Sequence, residues 1–85
     1  MAKTSLALQP GPIFYATWAG AMKVQGRSVS AWAKEHGQTI SNLKTMATGV
    51  GGPKAKAMRQ LMVEAVGEDL FRTLYEARLK NEGVL

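Results

Sequence analysis

The sequence predicts an all-α fold, a small bundle of about five helices. Three observations predict it. Apolar residues recur at three- and four-residue steps in successive stretches, the spacing of one helix face. No stretch alternates apolar and polar residues with the period of two that a half-buried strand needs, and β-branched clusters are absent. Proline and nearly all the glycines fall at the boundaries of the periodic stretches, with Gly20 the exception inside one. The 85 residues suffice for one domain. A chain this short buries only roughly 60% of the surface that its unfolded form exposes.

Residues 1–10 show no period and read as a flexible arm, which leaves 11–85 as a single domain. Pro12 suits a first helical turn, because its missing N–H would be unpaired there anyway. A helix over 12–25 follows, with Phe14, Trp18, Ala21, Met22 and Gln25 as its stripe. Gly26 ends it. Ser28 is an N-cap for a helix over 29–36 that sets Val29, Trp32, Ala33 and His36 on one side. Gly37 suits a left-handed turn. Thr39 caps a third helix over 40–48, with Ile40, Leu43, Met46 and Ala47 inward. Gly49, Val50, Gly51 and Gly52 form a break. Pro53 starts a fourth helix reaching 66, with Met58, Leu61, Met62, Ala65 and Val66 as its stripe. After Gly67, Glu68 and Asp69 favour the positive end of a last helix. Leu70, Phe71, Leu74, Tyr75, Arg78 and Leu79 follow at helical spacing, and residues 81–85 are expected to fray.

Composition excludes several classes of function. There is no cysteine, which removes disulfides, thiolate catalysis and cysteine-based zinc sites. No stretch approaches the ~20 apolar residues of a membrane span. The apolar patch near the start is cut by Pro10 and Pro12 and is too short for a signal peptide. A cytoplasmic protein with no membrane partner is expected. The charge is uneven. Lys23, Arg27, Lys34, Lys44, Lys54, Lys56 and Arg59 face a single acid, Glu35, within residues 23–59, for a net charge of +6 there. The rest of the chain carries four basic and five acidic residues, net −1. A basic middle suits a polyanion, although a positive charge also serves solubility alone.

The informative stretch is residues 28–49, SVSAWAKEHGQTISNLKTMATG. Small Ala33 suits a close helix crossing. Gly37 follows four residues later in the turn, Leu43 six beyond it, and Met46 three beyond that. This spacing is that of a helix-turn-helix, whose second helix enters the DNA major groove. His36 and Gln38 flank the glycine where aliphatic residues are more usual, so His36 either loosens the turn or folds over the edge of the core.

The run GRSVSAWAKEHG, followed by a second helix, a glycine-rich link and a helix ending in EAVG, resembles small regulators of Mu-like bacteriophages. Those chains carry a W-A-x-x-H-G helix before the recognition helix. Here it is Trp32, Ala33, Lys34, Glu35, His36 and Gly37. The resemblance covers residues 26–67, about half the chain. It implies a phage or prophage regulator of transcription or transposition.

The outward residues of the second motif helix, Thr39, Ser41, Asn42, Lys44, Thr45 and Thr48, are the candidate base contacts. Asparagine pairs in bidentate fashion with adenine, lysine reaches guanine O6 or N7, and threonine methyls touch the thymine methyl. The alternative is a merely solvated face, but no acid occurs between residues 37 and 63. Arg27, Ser28, Gly52, Lys54, Lys56 and Arg59 are the candidate phosphate contacts, since helix N-termini and cations attract phosphate. The Gly-Val-Gly-Gly-Pro-Lys run lacks the GK[ST] ending and preceding strand of a nucleotide-binding loop.

His36 stands without a second histidine and reads as structural. No nucleophile–base–orienter set stands out, so no enzyme, metal or cofactor is expected. The aromatic residues and methionines lie on apolar stripes and read as core. Two adjacent apolar rows, Leu70 with Leu74 and Phe71 with Tyr75, point to a homodimer through the last helix; the alternative is that both rows are buried within one chain. The expected function is a sequence-specific regulator on double-stranded DNA. The rival is a protein-interaction module on the same scaffold, meeting RNA polymerase, a sigma factor or a host component.

Overall fold

The computed structural model describes residues 10–81. Five helices follow in order: α1 (Pro12–Val24), α2 (Val29–Glu35), α3 (Ile40–Ala47), α4 (Gly52–Val66) and α5 (Glu68–Asn81). No strand occurs among the described residues. The expected arm lies outside the described residues apart from Pro10, and the expected frayed tail apart from Asn81, which ends α5.

Local chemistry sets each boundary. Pro12 opens α1, and the N–H of Gly11 donates to the carbonyl of Ala47 at 2.9 Å, tying the start of α1 to the end of α3. Ser28 Oγ accepts from the Ala31 N–H, and Thr39 Oγ1 from the Asn42 N–H, each at 3.1 Å. Both caps satisfy a donor that a first helical turn leaves unpaired. Gly37 has φ 67° in the turn between α2 and α3, a conformation that a β-carbon disfavours. Gly51 caps α4 at φ 115°, and a β-carbon there would lie 3.1 Å from Ala55 Cβ. That turn is closed to larger residues by conformation and by space.

The core forms around α1, which packs on α3, α4 and α5. Phe14 meets Phe71 of α5 at 4.9 Å between ring centroids, and Trp18 meets Trp32 of α2 edge-on at 5.1 Å. Leu43, Met46 and Ala47 of α3 and Ala55, Met58, Met62, Val63 and Val66 of α4 complete it. Three side chains assigned inward by periodicity lie outside. Ile40 is 40% exposed and Leu61 43%. Ile40 is the first residue of α3, one turn ahead of the buried set, and α4 buries Val63 where Leu61 was expected. Gln25 is exposed, and its Nε2 donates to the Val66 carbonyl at 2.9 Å. His36 folds onto the core edge, stacked on Trp32 at 3.8 Å, with Nδ1–H donating to the Trp32 carbonyl at 2.9 Å.

Candidate nucleic-acid interface

Helix α3 presents its outer face to solvent because its inner residues, Leu43, Met46 and Ala47, are buried against the bundle. Thr39, Ser41, Asn42, Lys44, Thr45 and Thr48 are all exposed. The chemistry they offer differs from what residue type suggests. Thr39 Oγ1 is engaged as a cap. Thr45 Oγ1 donates to the Ser41 carbonyl at 3.0 Å, and Thr48 Oγ1 donates to the Thr45 carbonyl at 2.8 Å. Hydroxyls bonded back to their own helix leave the methyl groups as what these threonines bring to a partner. Asn42 Nδ2 lies 3.4 Å from Gln38 Oε1, which orients the amide and leaves its oxygen and second N–H open. Lys44 Nζ sits 5.7 Å from the centroid of the Tyr15 ring, a cation–π position at one edge of the face. Burial raises the Tyr15 hydroxyl above its ordinary pKa of 10.0, so this ring is neutral at physiological pH.

Beside α3 runs a groove of about 230 Å³ whose lining includes Gln38, Asn42, Thr45, Val50, Gly51 and Lys54. It joins the middle of α3 to the start of α4. Gly52, Lys54 and Lys56 are exposed there, with no acid in the first turn of α4. Free N–H groups, the positive dipole end and the Lys54 ammonium therefore meet beside the groove, with Lys56 two residues further along the helix.

The two arginines expected beside them have other partners. Arg59 is only 9% exposed, and its guanidinium donates to the Met46 carbonyl at 2.8 Å. Arg27 is exposed but donates to the Ala65 carbonyl. Each thereby meets carbonyls at a helix C-terminus, where the dipole is negative: Arg59 that of α3, Arg27 that of α4. Arg59 is thus a bridge between α3 and α4 rather than a surface cation. Ser28 is exposed, with its hydroxyl occupied as a cap. The ion pairs among the described residues lie on α5, where Arg72 contacts Glu68 at 2.6 Å and Asp69 at 3.9 Å.

The apolar rows of α5 turn inward. Phe71 and Tyr75 are buried in the core, and Leu70 and Leu74 are half-buried against it. The Phe71 and Tyr75 row is therefore used inside one chain, and the Leu70 and Leu74 row in part. What remains open is a groove of about 380 Å³ between α1 and α5, lined by Gly20, Val24, Leu74, Ala77 and Arg78 among others.

Among the described residues, no group of three or more His, Asp or Glu is placed to hold a metal ion, and no helix is long and apolar enough to cross a membrane. Three residues of the α3 surface escaped the sequence reading: Gln38, Ile40 and Val50. Gln38 precedes the Thr39 cap and lies outside α3, so helical spacing gives no signal for its contact with Asn42. Val50 is 61% exposed inside a glycine-rich break, where periodicity is silent.

Set beside known proteins, the chain matches no family model, no curated protein and no solved structure.

Proposed function

We propose that the chain is a sequence-specific double-stranded DNA-binding regulator of transcription, of phage or prophage type, that acts in the cytoplasm by occupying a site on the duplex. In this reading α3 enters the major groove with its first turns nearest the base edges. Thr39, Ser41, Asn42, Lys44, Thr45 and Thr48 meet bases, while Lys54, Lys56 and the Gly52 N–H grip phosphate. The observation that carries it is the exposed, acid-free outer face of α3 sharing one groove with Lys54 at the N-terminus of α4. Self-association into a homodimer runs, in this reading, through the α1–α5 groove, where Leu74 and Val24 remain accessible.

A mobility-shift titration with the DNA upstream of the gene tests the assignment. A specific complex is expected at low salt, weakened by Lys44→Ala, Thr45→Ala and Lys54→Ala. Absence of any specific complex, or variants that bind as the parent does, refutes it. One observation favours a second reading. Ile40 and Val50 are exposed aliphatic residues flanking the ridge, as in surfaces that meet proteins. There the partner is RNA polymerase or a sigma factor, and the same variants weaken its capture in the absence of DNA.

A further inference from the structure

The α3 surface also indicates which base pairs it prefers. Resting on the DNA-binding reading, we propose that α3 reads A·T base pairs, with thymine methyl groups as the dominant apolar contact and Asn42 as the adenine-reading amide.

Three placements lead there. The first is the diversion of arginine. The commonest specific contact to guanine is a guanidinium on O6 and N7. Arg27 and Arg59, the arginines within the basic middle of the chain, are bonded to the carbonyls of Ala65 and Met46. Lys44, the cation on α3, stands over the Tyr15 ring at the edge of the face, outside the groove that holds Asn42 and Thr45. It reaches a base there as a single ammonium rather than as a bidentate fork. Cytosine is recognised through its N4 amine by a carboxylate, and residues 37–63 contain none. The outward face of α3 is thus poor in the groups that read G·C.

The second placement is the amide. Asn42 is the third residue of α3, in the turn that approaches base edges most closely. Gln38 Oε1 takes one of its N–H groups at 3.4 Å. The Asn42 oxygen and one N–H remain open, and an amide acceptor and donor are what adenine N6–H and N7 require. The third is the methyl surface. Thr45 and Thr48 bond their hydroxyls to the helix backbone, and exposed Ile40 and Val50 stand at the two ends of α3. Thr45 and Val50 line the same groove as Asn42. An aliphatic strip beside an adenine-reading amide matches the major-groove edge of A·T pairs, where the thymine C5 methyl projects.

Selection of the full chain against a randomised duplex library tests this, followed by replacement of thymine with uracil in the enriched site. Enrichment of A·T pairs is expected. Affinity is expected to fall about fourfold for each thymine methyl lost from a buried contact. Asn42→Ala is expected to weaken the enriched site by about 5- to 150-fold and to relax the preference at one base pair. The uracil duplex leaves the protein untouched, so a folding defect cannot imitate that result. Enrichment of G·C-rich sites, or equal affinity for thymine and uracil duplexes, overturns the A·T assignment and leaves DNA binding standing. Binding to duplex without any enrichment overturns it likewise. Failure to bind any duplex at low salt overturns both.

Discussion

Replacing Arg59 with methionine separates a structural arginine from a phosphate-gripping one. The substitution keeps the unbranched stem and removes the charge. It removes one charged hydrogen bond, Arg59 to the Met46 carbonyl at 2.8 Å. Such a bond contributes about 1.5–3 kcal/mol. The Met46 carbonyl is not orphaned, because the Gly49 N–H also donates to it at 3.2 Å. Against that loss stands a relief. Arg59 Nε is buried without a hydrogen-bond partner, a state that costs about 1–3 kcal/mol. No carboxylate among the described residues pairs with this cation. The two effects nearly cancel, so Arg59→Met should change stability by less than about 1.5 kcal/mol. Arg59→Ala also deletes the packed stem, and by the cost of truncating long core side chains it should lose about 2–5 kcal/mol. Urea unfolding followed by the fluorescence of Trp18 and Trp32 measures both. Under the proposed DNA-binding function, Arg59→Met should leave the dependence of affinity on salt unchanged, whereas Lys54→Ala should reduce the slope by about 0.9. Equal destabilisation by the methionine and alanine variants refutes the cancellation. A salt slope reduced by Arg59→Met refutes the burial of its charge away from the duplex.

Other consequences are simpler to test. Gly37→Ala should cost about 1–2 kcal/mol, because φ 67° disfavours a β-carbon although nothing lies within 4 Å to clash with it; a neutral result in thermal unfolding would deny the left-handed turn. Ser28→Ala and Thr39→Ala should each cost about 1 kcal/mol and should add in the double variant, since each cap serves a different helix. Phe71→Ala should cost about 3–5 kcal/mol through loss of the contact with Phe14, and near-complete loss of cooperative unfolding is the readout in so small a domain. Burial raises the pKa of Tyr15 and Tyr75 above 10.0. The unfolded chain therefore releases these protons first as pH rises, the folded chain holds more of them, and stability declines above about pH 10. Alkaline unfolding monitored at the tyrosinate absorbance should show the decline, and Tyr75→Phe should lessen it.

Much of the scaffold was legible along the chain because its causes are local. Pro12, Ser28, Thr39 and Gly37 act on residues within one turn, so their types predicted the helix starts and the turn to within one or two positions. The inward set Leu43, Met46 and Ala47 followed from spacing alone, and so did the exposure of the six polar residues on α3. Periodicity failed where a helix end or a third neighbour intervened. Ile40 lies at the first residue of α3, and Leu61 has no helix covering it, so each fits its stripe and still faces solvent.

The split among the cations was decided in three dimensions. Along the chain Arg27, Arg59, Lys54 and Lys56 form one basic segment, and nothing local distinguishes them. A C-terminal carbonyl 13 residues from Arg59 and another 38 residues from Arg27 convert the arginines into clasps between elements. Gln25 does the same across 41 residues. The lysines at the start of α4 meet no such carbonyl and keep their charge for solvent or a partner. The fate of the apolar rows on α5 has the same origin: only the arrival of Phe14 from α1 shows that Phe71 is already covered. Helix positions depend on interactions a few residues long and can be read in one dimension. The availability of a side chain depends on which distant group the fold brings beside it.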